Sequence, residues 1–130
     1  MIINKGDSLS CLFCNIENER IIAENEAAYA IHDGFPVSKG HMLIIPKEHF
    51  SNYFEADPQT KDELWKLIDE CKKIVDKKYN PDGYNIGINC GEAAGQTVMH
   101  LHIHLIPRYK GDMDNPRGGV RGVIPEKRIY

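Results

Sequence analysis

Residues 100–106 read His-Leu-His-Ile-His-Leu-Ile, and the apolar run closes at Pro107. Alternation with a period of two marks a half-buried strand. Successive side chains of a strand point to opposite faces. Leu101, Ile103 and Leu105 therefore enter a core, while His100, His102 and His104 line the other face. Neighbouring imidazoles then stand roughly 7 Å apart, two strand rises of about 3.3 Å each. A phosphate group fits between or against two of them. Imidazole can act as nucleophile, acid or base near neutral pH, so three of them on one rigid strand describe a reaction site.

The rest of the chain limits what that strand belongs to. At 130 residues it makes one domain with a real core. A formal charge of -3 argues against a nucleic-acid binder, which is usually basic. No apolar run reaches the length of a membrane span. The start, Met1 to Asp7, lacks the charged and apolar regions of a signal peptide. A cytoplasmic location is expected, with the four cysteines as thiols or metal ligands rather than disulfides.

Residues 1–10 read as a loose lead-in, and Cys11 to Ile16 as a tight turn or short helix. Ile21–Ala23 and Ala28–Ile31 read as short strands, and His41–Ile45 as a buried strand stopped by Pro46, with His41 at the end of the preceding loop. Asp57-Pro58 is a helix start, with Asp as N-cap and Pro at the first helical position. Leu64, Leu67, Ile68, Cys71, Ile74 and Val75 recur at helical spacing, giving one long helix over roughly 58–78. Tyr84–Cys90 alternates like a strand, Gly91–Gln96 is a tight loop, and the tail from residue 111 to 130 has little periodicity. Strands, one helix, then strands joined by a short loop suggest an α+β domain: an antiparallel sheet with a helix on one face.

The motif His-φ-His-φ-His-φ-φ, with φ apolar, is matched at every position of residues 100–106. Further matching segments are Ile31-His32-Asp33, Gly40 to His49 and Asn89 to Val98. In these, over roughly residues 11–110, the chain resembles the histidine triad (HIT) family in its bacterial or archaeal form. The resemblance implies a HIT-like fold of about five antiparallel strands and one long helix. It also implies a nucleotide hydrolase or transferase acting at the α-phosphate. His102 would be the nucleophile, forming a nucleotidyl-histidine intermediate. His104 would assist the leaving group, and His100 would shape the site. Asn89, Gln96 and Thr97 match phosphate-contacting positions, and Gly91 and Gly95 allow close backbone approach to an anion. Asp33 matches a ribose-binding carboxylate. Phe13, Ile16, Ile31 and His32 would wall the base, with adenine favoured. The transferase branch typically has glutamine in place of the third histidine. His104 therefore favours hydrolysis of a dinucleoside polyphosphate or an adenosine phosphoramidate.

Two other readings stay open: a nucleotide-binding regulatory protein with little turnover, and a small zinc-binding interaction module. Cys11-x-x-Cys14 is a zinc half-site, although a lone CxxC also describes a redox pair or two buried thiols. The resemblance supplies His49 and His100 as the other half of a structural zinc site. The chain lacks an acidic cluster beside the triad, so metal-independent chemistry is expected, unlike a two-metal clamp. The resemblance also implies a homodimer with a shared core, in which Trp65 and Tyr79 would be buried. Arg117, Arg121, Lys127 and Arg128 of the tail are expected to bind distal phosphates of the substrate.

Overall fold

The computed structural model describes residues 10–130. The lead-in read over residues 1–10 falls, apart from Ser10, outside the described residues. Five strands form one antiparallel sheet: β1 (Ile21–Glu24), β2 (Ala28–His32), β3 (Met42–Pro46), β4 (Gly83–Ile88) and β5 (Ile103–Arg108), in the order β1-β2-β3-β5-β4. One long helix, α1 (Pro58–Tyr79), packs on one face of the sheet. The α+β expectation holds.

Helix α1 begins and ends where local chemistry dictates. The Asp57 side chain accepts the Thr60 N–H at 2.7 Å, and Pro58 opens the first turn. Asn80 ends it in the left-handed region at φ 50°, its N–H donating to the Asp76 carbonyl. Leu64, Leu67, Ile68, Cys71 and Val75 are buried against Ala28, Ala30, Met42, Ile44, Ile103 and Leu105 of the sheet. Ile74 was expected on that face but turns to solvent. Trp65 is also exposed on one side, its indole N–H donating to the Tyr53 hydroxyl.

The opposite face of the sheet carries a second, smaller apolar cluster of Phe13, Tyr29, Ile31, Leu43 and Ile45. Central strand β3 serves both layers, which is why all five of its residues are buried. In β5, Ile103, Leu105 and Pro107 point inward, and His104, Ile106 and Arg108 point to the second face.

The expected strand over 100–106 is shorter at its start. It begins at Ile103, where both of its ladders end: Ile44 is the last β3 residue paired with it and Ile88 the last of β4. Before it, the Leu101 N–H donates to the Phe50 carbonyl. β4 likewise stops at Ile88, leaving Asn89 and Cys90 in the turn that follows.

The tail is less irregular than its composition suggests. It forms two 3₁₀ turns, Gly119–Val123 and Pro125–Lys127. The expectation that its cations bind distal phosphates is corrected for Arg121 and Arg128 by their bonding. Arg121 donates to the Lys127 and Arg128 carbonyls, and Arg128 to those of Asn115 and Arg117. The Arg117 and Arg121 guanidinium groups also stack on the Tyr130 ring. Arg117, Arg121 and Arg128 thus tie the tail to itself. No helix among the described residues is long and apolar enough to cross a membrane.

Candidate active site

The three histidines of the motif occupy three different settings, and in each a backbone group determines which ring nitrogen carries the proton. His100 is fully buried, with Nε2 2.8 Å from the Pro46 carbonyl oxygen. A carbonyl only accepts, so Nε2 donates and Nδ1 keeps its lone pair. That Nδ1 lies 3.3 Å from Cys11 Sγ, 3.5 Å from Cys14 Sγ and 3.2 Å from His49 Nδ1. Cys14 Sγ lies 3.2 Å from His49 Nδ1.

All four atoms lie within 4.8 Å of one another. Tetrahedral zinc with sulfur and nitrogen ligands holds its donors about 3.3–3.8 Å apart, so the residues fit that ion. The 3₁₀ turn Leu12–Cys14 is what brings both thiols to one side, with Cys11 Sγ accepting the Cys14 N–H at 3.2 Å. Burial, then Cys11 beside it, pushes the Cys14 thiol up to about 11. A bound cation would favour the thiolate.

His102 Nδ1 lies 2.9 Å from the His100 carbonyl oxygen. Nδ1 therefore donates, and Nε2 is left as an unprotonated ring nitrogen. The Phe13 ring meets the His102 ring edge-on, with centroids 5.0 Å apart. Phe13 is fixed in turn by the Tyr29 hydroxyl, which donates to its carbonyl. His100 thus meets the Cys11, Cys14 and His49 cluster through its ring and sets the His102 tautomer through its carbonyl.

His104 is set from further away. The Val37 N–H donates to His41 Nδ1 at 3.1 Å, so His41 carries its proton on Nε2. That nitrogen lies 3.0 Å from His104 Nδ1 and 3.3 Å from Asp33 Oδ2. His104 Nδ1 accepts, and its own proton sits on Nε2. Burial first, then the neighbouring His102 and His41, pushes the His104 imidazole down to about 4, against the pull of Asp33. Burial also lowers His41 and His100. The Asp33, His41 and His104 donors are close enough to suggest a second metal site. The Val37 N–H opposes it, because a metal on His41 Nε2 would turn a second N–H toward that donor.

His41 is the site residue that sequence reading missed. It is 3% exposed, and it lies in the matching segment Gly40 to His49, which by itself gave it no role. The signal lies in the β2–β3 register: His32 opposes Met42, and the Asp33 N–H donates to the His41 carbonyl just beyond the ladder.

The other expected site residues divide. Phe13 and Ile31 lie in the apolar cluster on the histidine face, with Ile16 packed against it. Asn89 is half-buried, and Gly95 and Thr97 are exposed on the loop before the triad. Gly91 and Gly95 take φ of 93° and 94°, which glycine adopts without strain.

Gln96 is a correction. It is buried, its amide oxygen accepts the Gly91 N–H, and its amide nitrogen donates to the Ser51 and Val98 carbonyls. Its side chain builds the loop and has no donor left for a phosphate. His32 is a second correction. Directly opposed residues share a face, and its partner Met42 faces the helix, so His32 points away from the triad. A groove of about 510 Å³ lies between the β4–β5 strand ends and the tail, but no triad residue lines it. The site is defined by chemistry rather than by depth.

A five-stranded antiparallel sheet, one long helix and a histidine-lined strand define the HIT class of fold. The chain belongs to that family: the HIT domain matches residues 16–111. An uncharacterized HIT-like protein of Methanocaldococcus jannaschii is 44% identical over 108 residues, covering 78% of this chain and 81% of that protein. Adenosine 5'-monophosphoramidase of Schizosaccharomyces pombe is 38% identical over 104 residues, covering 77% and 75%. Bis(5'-adenosyl)-triphosphatase of Dictyostelium discoideum is 34% identical over 100 residues, covering 77% and 67%. Among solved structures, a Zn-bound histidine triad family protein from Mycobacterium smegmatis superposes with a TM-score of 0.74 at 36% identity, covering 82% of this chain and 80% of that one.

Proposed function

We propose that this protein is a nucleotide hydrolase that cleaves at the α-phosphate through a nucleotidyl-His102 intermediate and releases a nucleoside monophosphate. The observation that carries this reading is the His102 tautomer: Nδ1–H on the His100 carbonyl leaves Nε2 as a ready nucleophile. Relatives named as a phosphoramidase and a dinucleoside triphosphatase support a hydrolase acting on nucleotides.

The His102 Nε2 lone pair forms a bond to phosphorus. The bond from phosphorus to the leaving nitrogen or oxygen breaks, and its electron pair leaves with that atom. His104, whose Nε2–H faces the site, supplies the proton. An incoming phosphate anion favours the charged form of a nearby imidazole, so His104 gains its second proton as substrate binds. Water then attacks phosphorus, the bond to His102 breaks, and the water proton returns to the histidine pair.

The purine lies against Phe13, Ile16 and Ile31, with adenine favoured. Asp33 accepts from the ribose hydroxyls, and Asn89, Gly95 and Thr97 hold phosphate oxygens. Cys11, Cys14, His49 and His100 hold a structural zinc, which pins the Phe13 turn and the His100 carbonyl in place. The protein works as a cytoplasmic homodimer. The open edge of β4, with Ile86 41% exposed, is a suitable contact strand.

Steady-state release of AMP from adenosine phosphoramidate and from a diadenosine polyphosphate tests the reading. Wild-type turnover that His102→Ala abolishes is expected. Tight AMP binding without turnover of either substrate would replace it with the regulatory reading.

A further inference from the structure

Residues 33–41 join β2 to β3 and carry Asp33 and His41 at their two ends. The crest of this loop is open to solvent: Phe35 is 91% exposed and Val37 71%. A segment with so few buried contacts opens easily unless polar ties hold it. Yet the His41 tautomer depends on it, because the Val37 N–H donates to His41 Nδ1 at 3.1 Å.

The ties run to the end of β5. The Ser38 hydroxyl donates to the Pro107 carbonyl at 2.6 Å, and the Tyr109 hydroxyl donates to the Lys39 carbonyl at 2.6 Å. The Ser38 carbonyl accepts the His41 N–H at 3.2 Å, which closes the turn that sets the Val37 N–H against the imidazole. Gly40, next in line, is pressed between Tyr79 and Pro107: a Cβ there would sit 2.8 Å from Tyr79 Cδ2 and 3.4 Å from Pro107 Cγ. At the other end of the loop the Phe35 N–H donates to Asp33 Oδ1 at 2.8 Å, while Oδ2 lies 3.3 Å from His41 Nε2.

These bonds matter because the far side of His41 offers acceptors. If the Val37 donor moved away, His41 could carry its proton on Nδ1. Its Nε2 lone pair would then face the Asp33 carboxylate and His104 Nδ1. His104 could pair with it only by donating from Nδ1, and would lose the Nε2–H assigned to the leaving group. His104 and Pro107 share β5, so one strand carries the acid and anchors the loop that sets its tautomer.

Resting on the hydrolase reading above, we propose that Ser38, supported by Tyr109, is a positioning residue: its bond to the Pro107 carbonyl holds the Val37 N–H on His41 and so keeps a proton on His104 Nε2. Ser38 acts through His41 and touches neither the nucleotide nor the reacting atoms.

The test combines kcat and KM for adenosine 5'-phosphoramidate with the His41 tautomer, read from long-range ¹H–¹⁵N correlations. Wild type, Ser38→Ala, Ser38→Thr and Tyr109→Phe are compared, and Ser38→Ala is repeated in a His41→Ala background. Ser38→Ala is expected to lower kcat by about 10-fold with little change in KM, within the loss that a slightly misplaced group brings. Its His41 signals should move from the Nε2–H tautomer toward a mixture. Ser38→Thr, which keeps the hydroxyl, should restore both readouts. Tyr109→Phe should lower kcat by about 3-fold, the scale of one lost hydrogen bond. With His41 already removed, Ser38→Ala should cost nothing further, because the two act as one unit.

An equal loss of kcat from Ser38→Ala with and without His41 would overturn the proposal, and so would a His41 tautomer unmoved in Ser38→Ala. If melting curves show that Ser38→Ala does not fold, Tyr109→Phe is carried through the same cycle and judged by the same outcomes. Absence of AMP release in wild type, with the His41 tautomer still shifted by Ser38→Ala, would overturn the hydrolase reading and leave the loop's hold on His41 standing.

Discussion

Two corners of the molecule are built from the same material and are suited to different work. At one, His100 and His49 meet Cys11 and Cys14. At the other, His102 and His104 meet His41 and Asp33. Both are partly buried groups of imidazoles set by one short segment of chain. They differ in what holds the second nitrogen of each ring. At the first corner the Pro46 carbonyl turns the His100 lone pair toward two thiols. At the second, the His100 carbonyl and the Val37 N–H leave a bare nitrogen on His102 and an N–H on His104. A histidine's job here follows from its backbone partner more than from its place in the motif.

The largest expected effect falls on the reaction corner. His102→Ala should lower kcat for AMP release by at least ~10⁴-fold, the scale seen when a nucleophile is removed, while its melting temperature stays near wild type. The metal corner should respond in the opposite way. Cys14→Ala should lose stoichiometric zinc by elemental analysis and lower the melting temperature by about 10 °C, as expected for a structural site. Its activity should fall less than that of His102→Ala. Equal loss of activity in a variant that still melts like wild type would erase the distinction between the corners.

His41→Ala should lower kcat by about 10–100-fold, the usual cost of losing an orienting partner, with little change in KM. His41→Gln, which keeps a donor near Nε2, should recover part of the loss. A change confined to KM would remove His41 from the proton path.

The smallest effect is on stability. Because the folded-state value of His104 is lowered from 6.5 to about 4, the unfolded chain takes up its proton first. The stability associated with neutral His104 is present above pH 6.5 and is lost as pH falls through about 4. Thermal melts from pH 7 to pH 4 should show a decline that His104→Asn makes shallower.

Much of this was legible in the sequence because it rests on short-range rules. Asp57-Pro58 marked the helix start and the period-two run marked β5. The CxxC with two distant histidines marked the metal corner by resemblance, and the structure brings those four side chains together. The misses share a cause: each depends on pairing between distant segments. His41 joins the site only through the β2–β3 hairpin, which sets Asp33 beside it. His32 faces the helix because of the same register. Gln96 looked like a phosphate donor until its partners Ser51 and Val98 were placed around it. The tail arginines had positive charge in the sequence, but their acceptors are carbonyls of the folded tail.

The most direct measurement is the protonation pattern of the histidine rings, read from long-range ¹H–¹⁵N correlations of the zinc-loaded protein at pH 7. His102 should appear as the Nδ1–H tautomer with an unprotonated Nε2, and His41 and His104 as Nε2–H tautomers. His102 protonated at Nε2 would leave no nucleophilic nitrogen facing the site and would contradict the assignment of roles to the two corners.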